Sequence, residues 1–334
     1  METSPPHPLA RARFPELDAG YESWFIRAAD PGGGRAVWLR YTVHKAPGHG
    51  PVGSLWLTYF DRAVPGPIAL KQSHHDVAPL AGGATNYVRI GEGEIGRGHA
   101  EGRISAPQGD ARWTLRFDAG EEPALGLPAA AMYGWPFPRA KPVSIHPATT
   151  LHGTLEVAGQ RIDLEGWRGC VGHNWGPEHT PEWVWLQAIG FAQDGGAWLD
   201  CAFGRVRVGP VLSPWLGSGW LHLDGRRHKL GDARGLIATR VTPRADGCSF
   251  RLAGSGLTVE GTVEAPSRTA IAWRYSDPAD TARLVVHCSV ARLQLRVTGG
   301  SSRPRELTLA DGAGYEHGSP RPADGVAVAP FTDP

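Results

Sequence analysis

Val37-Trp38-Leu39-Arg40-Tyr41-Thr42-Val43-His44 runs with a period of two: Val, Leu, Tyr and Val at the odd positions, with Arg, Thr and His among the even ones. Successive side chains of a strand point to opposite faces, so this stretch predicts a strand with one buried face. Upstream, Tyr21 to Ala29 joins it through Asp30-Pro31-Gly32-Gly33-Gly34, a hairpin connection. Downstream, Leu55-Trp56-Leu57-Thr58-Tyr59-Phe60 repeats the pattern after a Gly- and Pro-rich loop.

The same rhythm fills most of the chain. Strands are expected at Ile68 to Ser73, Asn86 to Ile90, Gly93 to Ile104, Ala111 to Phe117, Leu151 to Val157, Arg161 to Leu164, Trp183 to Phe191 and Ala197 to Val208. More follow from Trp220 onward, among them Leu236 to Val241, Leu257 to Val263 and Arg283 to Val297. Between Gly126 and Thr150 the rhythm breaks; five Pro and the aromatics Tyr133, Trp135 and Phe137 suggest a long loop that covers a barrel mouth or bridges domains. The 334 residues include 45 Gly, 29 Pro and 13 Trp, a balance suited to many short strands and turns. The expectation is an all-β chain of two tandem barrels or half-barrels with a cleft at their junction. Gly176-Pro177 and Pro181 interrupt the pattern, which places the domains at residues 14–180 and 181–325.

Charge narrows the partners. With 34 basic and 33 acidic side chains, the net charge is +1 and no run of like charge suits nucleic acid. No stretch of 18 apolar residues occurs, so no membrane span is expected. Met1 to Arg13 holds three Pro and no apolar segment, unlike a secretory signal. Cys170, Cys201, Cys248 and Cys288 are far apart and form no CxxC pair, which suggests buried free thiols and a cytoplasmic protein. Neither GxSxG, a P-loop nor HExxH appears, and Gly91 to Gly96 fits GxGxxG by letters only. Neither cofactor nor metal is expected.

Chemistry concentrates in Gly166-Trp167-Arg168-Gly169-Cys170-Val171-Gly172-His173-Asn174-Trp175-Gly176-Pro177-Glu178-His179, with Trp183 and Trp185 close behind. Glycines permit kinks and close approach, His exchanges protons near neutral pH, and Trp faces suit flat, unsaturated or cationic ligands. His173-Asn174-Trp175-Gly176 resembles the hallmark of the two-domain lipocalin-like family that includes carotenoid 1,2-hydratases (hydroxyneurosporene synthases), related bacterial proteins and fungal Diels–Alderase-type cyclases. Tyr21-Glu22-Ser23-Trp24-Phe25 resembles that family's opening strand, and Gly314-Tyr315-Glu316 its closing one. The resemblance implies two lipocalin-like barrels, an apolar pocket near their junction, and acid–base or shape-directed chemistry on polyene or terpenoid-like substrates without a cofactor. One departure stands out: the hydratases carry an acid immediately before this His, where the chain has Gly172.

His173, Glu178 and His179 form the candidate acid–base set, with His173 expected in the cleft within reach of Glu178 or His179. Asn174, Trp175, Trp183, Trp185, Trp24 and Glu22 are candidate ligand-binding residues. Against this stands a structural reading, in which His173 and Asn174 pin a β-corner and the tryptophans plug the core. Lys71, set among apolar residues, points outward or forms a desolvated amine beside Glu22 or Asp200. Two functions compete: a cofactor-independent hydratase, cyclase or isomerase acting on a hydrophobic unsaturated molecule, and a carrier of lipid-like molecules. An enzyme needs perturbed ionisable groups inside its cavity; a carrier needs a smooth apolar wall. Far-UV circular dichroism should be β-dominated with helix below roughly 15%, and a helix-rich spectrum would sink the two-barrel reading.

Overall fold

The computed structural model describes residues 7–80, 86–119, 122–232, 235, 238–244, 246–279, 281–300, 303–321 and 324–332. They build two large antiparallel sheets. The first has 12 strands, in the order Ile68–His74, Val52–Asp61, Arg35–Lys45, Gly20–Ala29, Gln160–Gly176, Lys141–Val157, Gly109–Phe117, His99–Ala106, Gly93–Gly96, Asn86–Ile90 and Val77–Pro79, with Ala124–Leu125 beside Lys141–Val157. It curls into a nearly closed barrel, and Gln72 Oε1 accepts the Ser105 N–H at 2.8 Å where its ends approach. The second has 10 strands: Arg226–Leu230, Leu216–Leu223, Asp194–Arg205, Glu182–Phe191, Arg305–Ser319, Ala282–Gly299, Leu257–Glu264, Gly247–Gly254 and Arg240–Arg244, with Ile271–Ser276 beside Ala282–Gly299. The fold is all-β. No helix of the described residues is long and apolar enough to cross a membrane.

Several local expectations need correction. The alternating stretch 37–44 does not have one buried face and one wet one. Val37, Leu39 and Tyr41 face the first barrel's core, while Trp38 and Arg40, equally buried, face the second sheet. Gly20–Ala29 is buried at every position for the same reason: it separates two packed interiors. The segment 166–176 is not a corner but the second half of the strand Gln160–Gly176. Lys141–Val157 runs through both Pro142 and Pro147: Pro147 falls where the register shifts between His146 and Thr149, which spares the ladder its missing N–H, while Pro142 stays in register opposite Asn174. Gly93 to Ile104 splits into two strands, turning at Gly98 with φ of 84°. Of the strand expected at Leu236 to Val241, residues 236 and 237 lie outside the described set, and a strand begins at Arg240.

The second core is completed by the first sheet. Ala29, Ala36, Trp38, Trp56 and Phe60 pack into the cluster built by strands of the second half. Trp273 lies against Trp56 at 4.9 Å between ring centres and donates to Thr58 Oγ1 at 3.1 Å. The firmest link is Arg27, 1% exposed. Its guanidinium donates to Gln187 Oε1 at 2.5 Å, to the Ser289 carbonyl at 2.8 Å and to the Gly312 carbonyl. Burial lowers its pKa to about 10, so it remains a cation at neutral pH. Arg27→Met would leave these acceptors without a donor inside the interface, which should cost on the order of 3 kcal/mol in urea denaturation. A loss under about 1 kcal/mol would show that the clamp contributes little.

Candidate active site

The parity of two paired strands decides which side chains reach the cleft. Gly20–Ala29 pairs with Gln160–Gly176 so that Trp24 lies opposite His173, Phe25 opposite Gly172 and Ser23 opposite Asn174. Glu22, Trp24, His173 and Trp175 point into the first barrel. Tyr21, Phe25 and Asn174 point the other way, into a cavity of about 330 Å³ between the sheets. Trp38, Arg40, Trp183, Trp185, Asp200, Trp220, Tyr275 and Glu316 also line it, and Leu125, Leu127, Met132 and Phe137 of the Pro-rich segment close one side.

This arrangement corrects the expectation for His173. Its imidazole is fully buried behind the cavity wall, stacked on Trp24 at 4.5 Å and on Trp175 at 4.7 Å. Nδ1–H donates to the Leu9 carbonyl at 2.6 Å, and Nε2 meets Glu22 Oε1 at 2.7 Å. Glu22 also accepts the backbone N–H groups of Arg13, at 2.8 Å, and Phe14, at 2.7 Å. Together with the Trp24 indole, which donates to the Ala10 carbonyl at 3.0 Å, the group fastens residues 9–14 across the barrel end. Glu178 is likewise outside the cavity: it is half-exposed and pairs with Arg139 at 3.3 Å. Lys71 is buried, its ammonium 4.2 Å from the centre of the Trp56 ring and bonded to the Thr332 carbonyl at 2.8 Å, away from the cavity lining.

Of the expected acid–base set, only His179 reaches the cavity. Its ring is stacked on Tyr21 at 3.7 Å, with Trp183 at 5.9 Å beyond. Asp277 Oδ1 accepts both the His179 backbone N–H and Nδ1–H, each at 2.7 Å. Arg283 holds the other carboxylate oxygen at 2.5 Å. Burial would raise the Asp277 carboxyl, but the bonds from His179 and Arg283 outweigh it and hold it well below the usual range. Because Asp277 is ionised, Nδ1 carries the hydrogen and Nε2 keeps its lone pair, for which no partner exists among the described residues. Burial lowers the His179 pKa against the pull of Asp277, so the ring is neutral at pH 7, and its unpartnered Nε2 is itself buried behind the cavity lining.

Sequence reasoning named Asp200 only as a partner for Lys71, yet it is a principal polar group of the cavity. It lies on the strand Asp194–Arg205, with Gln187 opposite and Trp185 one step diagonally along the same face. Trp185 Nε1–H donates to Oδ1 at 3.0 Å, and the Ser144 hydroxyl donates to Oδ2. Burial pushes its carboxyl up to about 6, although these bonds and the charges of Lys229 and Arg227 pull the other way. Lys229, lowered by burial to about 8, is bonded to Ser218 Oγ at 3.0 Å and to the Leu125 carbonyl at 2.8 Å. Glu316 accepts from Trp183 Nε1 at 2.8 Å; burial alone would raise its carboxyl, but His287, Arg40 and Trp183 outweigh it. A signal for Asp200 existed: it is a single acid inside Ala197-Trp198-Leu199-Asp200-Cys201-Ala202-Phe203. Asp277 and Arg40 gave none.

No family model matches the chain. Two uncharacterised Mycobacterium tuberculosis proteins, MT0513 and Rv0493c, are each 25% identical over 167 residues, 50% of this chain and 48% of theirs. The chain thus spans about half the length of the curated relatives it matches. Among solved structures, the protein assigned as AttH from Nitrosomonas europaea superposes with a TM-score of 0.55 at 15% identity, covering 95% of this chain and 99% of that one. CghA, solved with Sch210972, gives 0.59 at 10% identity over 90% and 88% of the two chains. Kievitone hydratase from Nectria haematococca gives 0.54 at 9% over 90% and 89%. The chain shares the fold of these three proteins.

Asp200 makes stability depend on pH in a defined sense. Below about pH 4 the carboxyl is protonated both folded and unfolded. From there to about pH 6 the folded state keeps a proton that the unfolded chain releases, so stability falls as pH rises. Above it, the full penalty of roughly 3 kcal/mol applies. Asp200→Asn removes this titration, so the variant's stability relative to wild type should rise by up to that amount between pH 4 and pH 7. A flat or falling difference in denaturant titrations at these pH values would refute the raised carboxyl.

Proposed function

We propose that the chain is a cytoplasmic, cofactor-independent enzyme of the hydratase, cyclase or isomerase type. Its substrate is a hydrophobic unsaturated small molecule, bound between a domain at residues 14–180 and one at 181–325. The observation that carries this reading is the pairing of a buried carboxyl, Asp200, and a bare imidazole nitrogen, on His179, among the residues of one aromatic-walled cavity. A carrier would have no use for either group, and burying both is costly. In this reading Asp200, rather than an acid beside His173, is the proton donor. Its raised pKa keeps part of the population protonated near neutral pH.

The chemistry follows from the two groups. Asp200 donates its proton to an alkene carbon. Positive charge develops on the neighbouring carbon, and the faces of Trp183, Trp185 and Trp220 stabilise it. His179 Nε2 then takes a proton, either from water that adds to the cation or from an adjacent C–H as a new double bond forms. Asp277 holds the imidazolium that results. The hydratase and cyclase folds support the reaction class, and the apolar lining supports the substrate class.

Native mass spectrometry of the purified protein should reveal a co-purifying hydrophobic molecule. Incubated with fresh protein in D₂O, that molecule should acquire deuterium at carbon. Asp200→Asn and His179→Gln should each slow the exchange about 10²-fold or more while retaining the ligand. Retention without any exchange by the wild-type protein would favour the carrier instead.

A further inference from the structure

Two arginines lie buried where the sheets meet, and they are served differently. Arg27 saturates Nη1 and Nη2 on a side-chain amide and two carbonyls of the second sheet. Arg40 is 5% exposed and lines the cavity. Its Nε–H donates to Ser23 Oγ at 2.9 Å, but neither Nη1 nor Nη2 makes a hydrogen bond or ion pair with any described residue. Aromatic rings support its plane instead: Tyr275 at 4.1 Å, Trp56 at 5.2 Å and Trp38 at 5.4 Å from the guanidinium carbon. Glu316, an acid of the lining whose carboxyl Arg40 helps to lower, is bonded to Trp183 and makes no hydrogen bond to Arg40.

Removing a guanidinium from water costs several kcal/mol unless its donors find acceptors. Stacking on rings orients the plane and returns part of that energy, but it leaves the in-plane donors open. Those donors form a fork that suits two oxygens of one anionic group. Resting on the reading of this cavity as a ligand site, we propose that Arg40 anchors an anionic oxygen head, the carboxylate of an acid or the enolate of a 1,3-dicarbonyl, on the hydrophobic molecule the cavity binds. The ligand is then amphipathic. Its charged end sits beside Tyr275 and its unsaturated body extends along the tryptophans toward Asp200.

The test uses the full chain and three probes: cis-parinaric acid, its methyl ester, and a 2-acylcyclohexane-1,3-dione with a comparable chain. Energy transfer from the protein's tryptophans follows the parinaroyl probes, and competition follows the dione. Wild-type protein should bind the acid or the dione about 10- to 100-fold more tightly than the neutral ester. Whichever anion is preferred identifies the head as carboxylate or enolate. Arg40→Met should abolish the preference and leave the ester within about twofold, whereas Arg40→Lys, which keeps a charge without the fork, should retain part of it. Equal affinity of anions and ester for wild type overturns the proposal without recourse to a variant. So do an undiminished preference in a folded Arg40→Met protein and the failure of both anions to bind. Tight, Arg40-dependent binding by a protein that performs no deuterium exchange would sustain the anchor and refute the catalytic reading.

Discussion

Arg27 ties the two sheets together inside their interface. One face of the strand Gly20–Ala29 carries Tyr21, Ser23, Phe25 and Arg27 in succession. Because Arg27 is bonded to Gln187, Ser289 and Gly312, that whole face is held against the second sheet. Toward the other end of the strand the sheets diverge, and the space becomes the cavity, with Phe25 and Tyr21 on its wall. The interface supplies neutral acceptors, an amide and two carbonyls, and no acid. This suits a link whose charge must stay the same over the working range of pH. It also costs more desolvation than an apolar contact, which the bonds of Nη1 and Nη2 offset, while Nε is buried without a partner among the described residues.

The buried charges of the interior divide by how well they are served. Asp277 has Arg283 and His179, Glu22 has two backbone N–H groups and His173, and Glu316 has Trp183. These side chains support architecture or hold the His179 ring in place. Asp200, by contrast, has only two neutral hydrogen-bond donors and is pushed toward its protonated form, while His179 Nε2 and the Nη atoms of Arg40 have no hydrogen-bond partner among the described residues. All three under-served groups belong to residues of the cavity lining. Other buried nitrogens without a partner, both of His146 among them, lie outside the cavity, so it is the place of these three groups in one lining that sets them apart.

Much of the fold was legible because a period of two is a strong signal over a long chain. The strands of the first hairpins and their turns, and the all-β class, follow from alternation and from Gly-Pro punctuation. What alternation cannot reveal is which face meets which neighbour. Around residue 40 both faces are buried, one in each interior, so a polar Arg40 on the second face read as solvent-exposed. The same ambiguity misplaced His173: its neighbours Gly172 and Asn174 are the ones on the cavity side, and a shift of one residue reverses the assignment. The strand Lys141–Val157 was hidden by its prolines, of which Pro147 is accommodated by a shift of register. Asp277 lay beyond sequence reasoning, since its partner His179 is 98 residues away.

The motif that prompted the family resemblance acquires a different meaning from this geometry. Tyr21-Glu22-Ser23-Trp24-Phe25 and His173-Asn174-Trp175-Gly176 are hydrogen-bonded neighbours, and their most distinctive side chains, Glu22, Trp24, His173 and Trp175, interlock on the side away from the cavity. They hold the wall from behind. The residues that face a ligand alternate with them and are free to differ without disturbing the lock. Gly172 shows how. A Cβ there would collide with the ring of Phe25, so a glycine and a phenylalanine together fill the place where the hydratases carry an acid. In the proposed reaction the proton comes instead from Asp200, which enters the wall from the second sheet.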